Sequence, residues 1–549
     1  MGNLALKLLL SRRRRQKRQA RSKPSRLLLP LGFHIATTPV CFDGSITSKS
    51  RRKRPLLSGE DGSSLLGVKR LRDAGPVLPE EIWCHVHSLM PMQDSARAAC
   101  VSHTFLNSWR RRPNLILTKE ALGLKKVVIG KGDIPRPFAS QVDKILRNHS
   151  GTGVKILELD ISDCRDLDTC HLDNWLQIAI APGIEELTLE LPREYMKVYT
   201  FPCSLLFGQN GSFLRSLQLS YCAFRPTVAN GSLRSLTELC LDQVRVTGEE
   251  LGQLLSNSFA LKELELSLCN EIICLKVPCV LEQLSCLTVL DCDMLQVIES
   301  EAPNLSTFDF GGNLVQLSLG RSLVQVKNVV MECLDEPNFL CYAITKLPYV
   351  VPSVEDLTLL AIVETANNIP MAAGKFLHLK YLEICPYDIL SAGYDFLSLV
   401  SFLDASPVLE TFIFCLDQDD VDQADVEFVS VFENASNMRQ IPGHKHGSLK
   451  NVTMLGFCSA KSLVELTCHI LKNASSLECM TLDTVFDKND EERIGRCSLT
   501  GRTDKCSSLS NEMILKAKEG LMAIERYIKG KVPSTVELDV RGPCSRCHT

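Results

Sequence analysis

The chain has 549 residues, of which 45% are hydrophobic, 23% charged and 6% aromatic, and its net charge is -3. It is too long for one ordinary compact domain and apolar enough for a large core, which leucine and its relatives must fill because aromatics are scarce. The charge balance argues against nucleic acid as a partner of the whole chain, and no apolar run approaches the roughly 20 residues a membrane helix needs.

Residues 1–74 are expected to be a disordered basic leader. Residues 1–58 carry fifteen Lys or Arg against one acid, Asp43, with clusters at Arg12–Arg18 and Arg51–Arg54. Like charges repel, and little periodic apolar surface offsets them. A nuclear-import signal, an organelle transit peptide and an inert solvated leader all fit. The Met1-Gly2 start resembles a myristoylation frame, but Leu6 stands where Ser or Thr is preferred. The 24 cysteines are scattered, many within apolar strand patterns, and no secretory signal precedes them. They are expected to be reduced, mostly buried thiols of an intracellular protein in the nucleus, the cytoplasm or both.

Leu78 to Trp109 reads as three short helices. Pro79 suits a first helical turn. Ile82, Val86 and Leu89 follow at i, i+4 and i+7 on one apolar face. Pro91 breaks that helix, and Asp94 is a good N-cap for a second over Ser95–Cys100. Val101, Phe105 and Trp109 recur every four residues as a third stripe. So small a unit is marginal alone, and spacing divides evenly between a cap on the following domain and a docking site.

The residues Leu78, Pro79, Ile82, Leu89, Pro91, Asp94, Val101, Ser102 and Trp109 stand at the spacing of the F-box, and the stretch resembles that motif. His103-Thr104-Phe105 departs from it, where a basic residue and an aromatic are commoner. The resemblance implies binding to a Skp-type adaptor and, through it, a cullin. The adaptor-binding residues it implies are Leu78, Pro79, Ile82, Val86, Leu89, Pro91, Val101 and Trp109.

From about residue 154 a second pattern recurs: apolar, two residues, apolar, one residue, apolar, then often Cys or Asn. Ile156-Leu159-Ile161-Cys164, Leu214-Leu217-Leu219-Cys222, Leu261-Leu264-Leu266-Cys269 and Leu284-Leu287-Val289-Cys292 carry it most clearly. Weaker copies run through Val354-Leu357-Leu359, Leu379-Leu382-Ile384 and Leu409-Phe412-Phe414 to Leu477-Met480-Leu482. The gap between Leu319 and Val354 implies an insertion or a degenerate unit. This resembles the leucine-rich repeat. The implied fold is an α/β solenoid, a parallel β-sheet horseshoe whose returns are often helical. The Cys positions are expected to be structural, satisfying backbone groups that stacking buries. Residues between the strand leucines, such as Glu158, Gln218, Glu265, Ser267, Thr288 and Asp309, are expected on the open concave face.

After Leu482 the repeat fades. Ser510 or Asn511 can cap a helix, and Val536, Leu538 and Val540 alternate as a last strand closing the array. This tail resembles the FBD-like region of plant F-box proteins. The terminal Cys544-Ser545-Arg546-Cys547-His548 string matches haem attachment or half a zinc site. It sits outside any globular pattern, and Cys497 with Cys506 is the nearest second pair, so no metal and no cofactor is expected.

The expected domains are the leader at 1–74, an F-box at 75–124, the solenoid at 150–490 and the cap and tail at 491–549. No nucleotide loop, metalloprotease motif or nucleophile elbow occurs, so no enzyme is expected. The expected role is a substrate-recognition subunit of a Skp–cullin–F-box ubiquitin ligase with an unknown protein target, without nucleic-acid or membrane partners. Alternatives are a leucine-repeat scaffold or ligand sensor, and a nuclear protein using the leader on nucleic acid.

Overall fold

A computed structural model describes residues 79–124, 135–149, 154–486 with short internal gaps, and 509–544. The basic leader, Leu78, the Cys497 and Cys506 pair and the terminal Cys547-His548 lie outside the described residues. The chain divides into two units at Ile82, and residues 79–82 are all that is described of the first.

Three helices open the described chain: α1 (Glu80–Leu89), α2 (Met92–Ala99) and α3 (His103–Arg110). A parallel sheet of fifteen strands follows. It begins with β1 (Asn114–Leu117), β2 (Ile156–Asp160), β3 (Glu186–Glu190), β4 (Ser216–Ser220), β5 (Glu238–Asp242) and β6 (Glu263–Ser267). A second parallel sheet holds β7 (Cys274–Val277), β9 (Val297–Ser300) and β11 (Gln316–Ser318). These alternate in sequence with main-sheet strands β8 (Cys286–Leu290), β10 (Thr307–Gly311) and β12 (Asn328–Cys333). The sheet ends with β13 (Asp356–Glu364), β14 (Tyr381–Leu390), β15 (Thr411–Cys415), β16 (Asn451–Leu455), β17 (Cys479–Asp483) and β18 (Glu537–Arg541). This is the expected α/β solenoid.

The repeat spacing sets the register. Leu157 pairs with Leu187, Leu187 with Leu217, Leu217 with Leu239 and Leu239 with Leu264. These leucines are buried to 1% exposure or less. Period-two alternation puts them all on one side of the sheet, so stacking units share one continuous core. Strand β12 fills the gap left between Leu319 and Val354. Its Val326-Val329-Met331 frame keeps the apolar spacing with valine and methionine in place of leucine, and all three are buried.

Each turn after a strand has a fixed geometry. Tyr221, Gln243, Leu268 and Asp291, each just past its strand, have positive φ, as do Gly312 and Gly456. The N–H groups of Tyr221, Gln243, Leu268, Asp291 and Gly312 donate to the end of the next strand, for example Gln243 to Ser267 at 2.8 Å and Leu268 to Leu290 at 2.8 Å. Four non-glycine residues are therefore held in the left-handed region because the ladder satisfies their backbone groups.

The returns differ along the chain. Helix α4 (Gly248–Leu255), capped by a reciprocal Thr247–Glu250 box, buries Leu251, Leu254 and Leu255, a helical return of the kind the repeat implies. Between β6 and β10 the units shorten, with 23 residues from Leu264 to Leu287 and 21 from Leu287 to Phe308. Such units return as the short strands of the second sheet instead of helices.

The cysteines that follow these strands are structural. Cys164, Cys222 and Cys269 are fully buried. Cys269 donates to the Leu241 and Ser267 carbonyls at 3.5 Å, and Cys292 to the Leu290 carbonyl at 3.6 Å. Burial pushes the Cys164 thiol up to about 11 and raises Cys222 too, so both stay protonated donors at neutral pH. Residues expected on the open face are more enclosed than anticipated. Glu158, Gln218 and Glu265 are half-buried, while Ser267, Thr288 and Asp309 are buried. With in-register neighbours about 4.8 Å away on both sides, short side chains are readily shaded.

The C-terminal helix, α5 (Asn511–Ala523), is capped by Ser510, whose hydroxyl accepts from Met513 N–H at 3.1 Å. Strand β18 then pairs with β17, giving the expected closing helix and strand. Among the described residues, no helix is long and apolar enough to cross a membrane.

Candidate functional site

The helices before the sheet are stitched to it by one side chain. Arg112 is 4% exposed. Its guanidinium donates from Nη1 to the His87 carbonyl at 2.6 Å and Ser95 Oγ at 2.7 Å, and from Nη2 to the Met90 carbonyl at 2.8 Å. Its Nε donates to the Asn114 carbonyl, the first residue of β1, at 2.9 Å. The last carbonyls of a helix lack a full set of intrahelical donors, and the His87 carbonyl also accepts from Met90 N–H at 3.3 Å and from Ser95 Oγ at 3.1 Å. Arg112 thus closes α1, reaches the first turn of α2 and anchors both to the sheet. Burial lowers its pKa. In the sequence Arg110–Arg112 is a short basic run with little to mark this role. The only sequence signal is an arginine one residue before a proline and a strand.

The apolar side of this unit is aromatic. Trp83 meets Phe105 edge-on at 5.1 Å, and the His87 ring stacks on Phe105 at 4.8 Å. His87 is fully buried and neither ring nitrogen has a hydrogen-bond partner. Burial and the Arg112 cation both lower its pKa, so the ring stays neutral. Met92 is buried in the solenoid's continuous core, and Gln93 donates to the Glu120 carbonyl at 3.0 Å. From Trp83 on, the helices are therefore part of the same packed body as the first strands.

Two sequence expectations about these helices change. Helix α2 starts at Met92, with Pro91 at its N-cap, and Asp94 makes no capping bond. Pro91 has φ -52° and ψ 146°, an extended conformation that already presents its carbonyl to Ser95 N–H at 3.0 Å. Asp94 falls within the first turn, where the helix dipole favours an acid, and pairs with Arg97 at 2.9 Å. Val101 lies outside α3, in the turn before it, so it does not continue the stripe of Phe105 and Trp109.

The residues implied as adaptor-binding divide by exposure. Val86, Leu89, Pro91 and Val101 are exposed, with Leu89 at 66% and Val101 at 81%. Pro79 and Ile82, in the first unit, are exposed too. Trp109 is half-buried and packs against the solenoid core, so in the free chain it holds α3 in place. Leu78 lies outside the described residues. Apolar side chains this exposed on helices this well fixed are what a docking surface needs.

Comparison with known proteins fits that geometry. Residues 76–117 match the F-box domain, and residues 145–545 match the leucine-rich-repeat domain described as At1g61320/AtMIF1. An F-box before a leucine-rich-repeat array defines the class: a plant F-box/LRR-repeat protein. Because the repeat match covers more than half of it, the chain belongs to the At1g61320/AtMIF1-type leucine-rich-repeat family. Among similar Arabidopsis thaliana proteins, the F-box protein At5g03100 is 24% identical over 195 residues, 36% of this chain and 56% of that protein. The F-box/LRR-repeat protein At5g02910 is 25% identical over 198 residues, 36% of this chain and 39% of that protein. The chain thus spans about half the length of the curated relatives it matches, or less.

Proposed function

We propose that this protein is the substrate-recognition subunit of a Skp–cullin–F-box ubiquitin ligase and performs no chemistry itself. The F-box docks on the Skp-type adaptor through exposed apolar residues, chiefly Leu89 and Val101. The repeat array holds a target protein. The mechanism is proximity: two sites on one body place a target's lysines near the ubiquitin-charged enzyme. The observation that carries this reading is the exposure of Leu89, at the end of α1, and of Val101, in the turn before α3, on a unit that Arg112 and Met92 fix to the solenoid. Such a connection keeps the distance between the two sites short and defined, which a flexible linker would not.

Co-precipitation of the full chain with a Skp-type adaptor tests the first half. Recovery of the adaptor by wild type supports the reading, and failure to recover it removes the foundation. We also propose nuclear entry through the Arg12–Arg18 and Arg51–Arg54 clusters, alongside a cytoplasmic pool. A fluorescent fusion in which both clusters are neutralised is expected to lose nuclear signal.

A further inference from the structure

Far from the F-box, neighbouring strands bring two thiols and a carboxylate together. Glu383 and Cys385 stand two residues apart on β14 and so share a face. Ile384 pairs with Phe414 on β15, which sets Cys415 beside Cys385. The ligand-capable atoms of Glu383, Cys385 and Cys415 all lie within 4.8 Å of one another, and Cys385 Sγ is 3.6 Å from Glu383 Oε1.

Three features set this trio apart from ordinary repeat cysteines. First, it lies on the sheet face opposite the core, which the alternate residues Leu382, Ile384, Phe412 and Phe414 fill. The same row carries Leu360, paired with Cys385, and Leu455, paired with Cys415, so the thiols interrupt an apolar row. Second, both thiols are buried, at 3% and 2% exposure, in a small separate cluster with Phe486. Third, the carboxylate is oriented from behind: the Tyr381 hydroxyl donates to Glu383 Oε2 at 2.8 Å, which leaves Oε1 toward the sulfur. Oriented carboxylates of this kind recur behind metal sites.

A disulfide fits poorly here. In-register neighbours on parallel strands hold their Cβ atoms about 4.8 Å apart, whereas a disulfide prefers about 3.8 Å. A tetrahedral ion with metal–sulfur bonds of about 2.3 Å needs its two sulfurs about 3.8 Å apart, which side-chain rotation alone can reach.

We propose that Glu383, Cys385 and Cys415 form a binding site for a soft divalent transition-metal ion of the zinc class, with water as its fourth ligand. Binding exchanges the two thiol protons, released to solvent, for two metal–sulfur bonds, and leaves the ion with two thiolates and one carboxylate. The ion ties β14 to β15 on the face opposite the core. The sequence gives no sign of this site, because 30 residues separate the cysteines and only strand register makes them neighbours.

The test uses the full chain, purified under a phosphine reductant and dialysed against buffered zinc. Wild type is expected to retain one equivalent of zinc and, when cobalt(II) replaces it, to show a thiolate charge-transfer band. Cys385→Ser and Cys415→Ser should lose both the equivalent and the band. Glu383→Gln, which keeps shape and hydrogen-bonding capacity, should weaken zinc binding by about 10–100-fold. Substituting the exposed Cys100 or Cys279 should change neither. Zinc-free wild type, an equivalent that persists in the folded double Ser variant, or unchanged affinity in Glu383→Gln would each overturn the proposal. So would peptide mapping that finds Cys385 and Cys415 as a disulfide in the reduced preparation.

Discussion

Removing Arg112 is expected to detach the F-box helices locally while the array stays folded. Arg112→Ala deletes four hydrogen bonds of 2.6 to 2.9 Å, three of them to backbone carbonyls. Hydrogen bonds from a charged donor contribute about 1.5–3 kcal/mol each. The sum overstates the loss, because burial of the guanidinium carries a desolvation cost that disappears with the side chain. The Met90 and Asn114 carbonyls and the Ser95 hydroxyl then lose the Arg112 donor, while the His87 carbonyl keeps Met90 N–H at 3.3 Å and Ser95 Oγ at 3.1 Å, and a net loss of about 3–4 kcal/mol is expected. A chain of this length need not unfold in one step, so a global melting curve is the wrong readout. Hydrogen exchange resolves local opening. Peptides spanning residues 83–112 should exchange two to three orders of magnitude faster in Arg112→Ala, at about 1.4 kcal/mol per tenfold. Peptides from β8 onward should not change, because solenoid coupling is between neighbours. Arg112→Lys should fall between, since an ammonium cannot reproduce the planar fork. If Arg112→Ala changes local stability by less than about 1 kcal/mol, the guanidinium is not what fixes these helices.

Other perturbations follow from single residues. Gly456 has φ +72° and a Cβ there would lie 1.9 Å from the Leu416 carbonyl oxygen, so Gly456→Ala should destabilise the β16 region by about 2 kcal/mol or more, read by exchange of residues 449–457. Arg439 pairs with Glu465, which is 1% exposed on the helix Lys461–Asn473; Arg439→Met should cost about 3 kcal/mol by leaving that carboxylate with the residue 439 N–H but no cation, read by exchange of residues 461–473. His87, His446 and His469 are each held neutral chiefly by burial, the last two against the opposing pull of Asp404. A histidine with a lowered folded pKa contributes full stability above about pH 6.5 and loses it as pH falls toward the folded value, because the unfolded chain binds the proton first. Stability to denaturant should therefore fall between pH 7 and 5.5, where carboxylates remain ionised, and the slope should shrink in His87→Phe and His469→Phe.

Much of the fold was legible because leucine-rich repeats write their geometry in one dimension. The spacing of Leu261, Leu264 and Leu266 fixes a strand, its register and its buried side without long-range information. In Val326-Val329-Met331 the apolar frame is intact, but the neighbouring Val324 and Val330 offer competing registers. Strand β1 was missed because Leu115 and Leu117 are too short a run to stand out beside the arginines before them. The second sheet was missed because shortening of the returns shows only once the units are aligned. Asp94 was misassigned because cap propensity competes with Pro91, whose fixed backbone ends the contest. Contacts between distant residues were not legible at all: neither the Arg112 guanidinium on α1 carbonyls nor the Cys385 and Cys415 pair has a spacing signature.

The central claim is that the exposed apolar residues of the F-box dock on a Skp-type adaptor. The most direct measurement is the affinity of the purified full chain for that adaptor, compared with Leu89→Glu and Val101→Glu. Both side chains are mostly exposed, so neither substitution should change the circular dichroism or the exchange protection of residues 83–112. Wild type is expected to bind, and each variant to lose about 30-fold or more in affinity, the equivalent of about 2 kcal/mol at a buried interface centre. A wild-type chain that does not bind the adaptor, or folded variants that bind as tightly as wild type, would contradict the account.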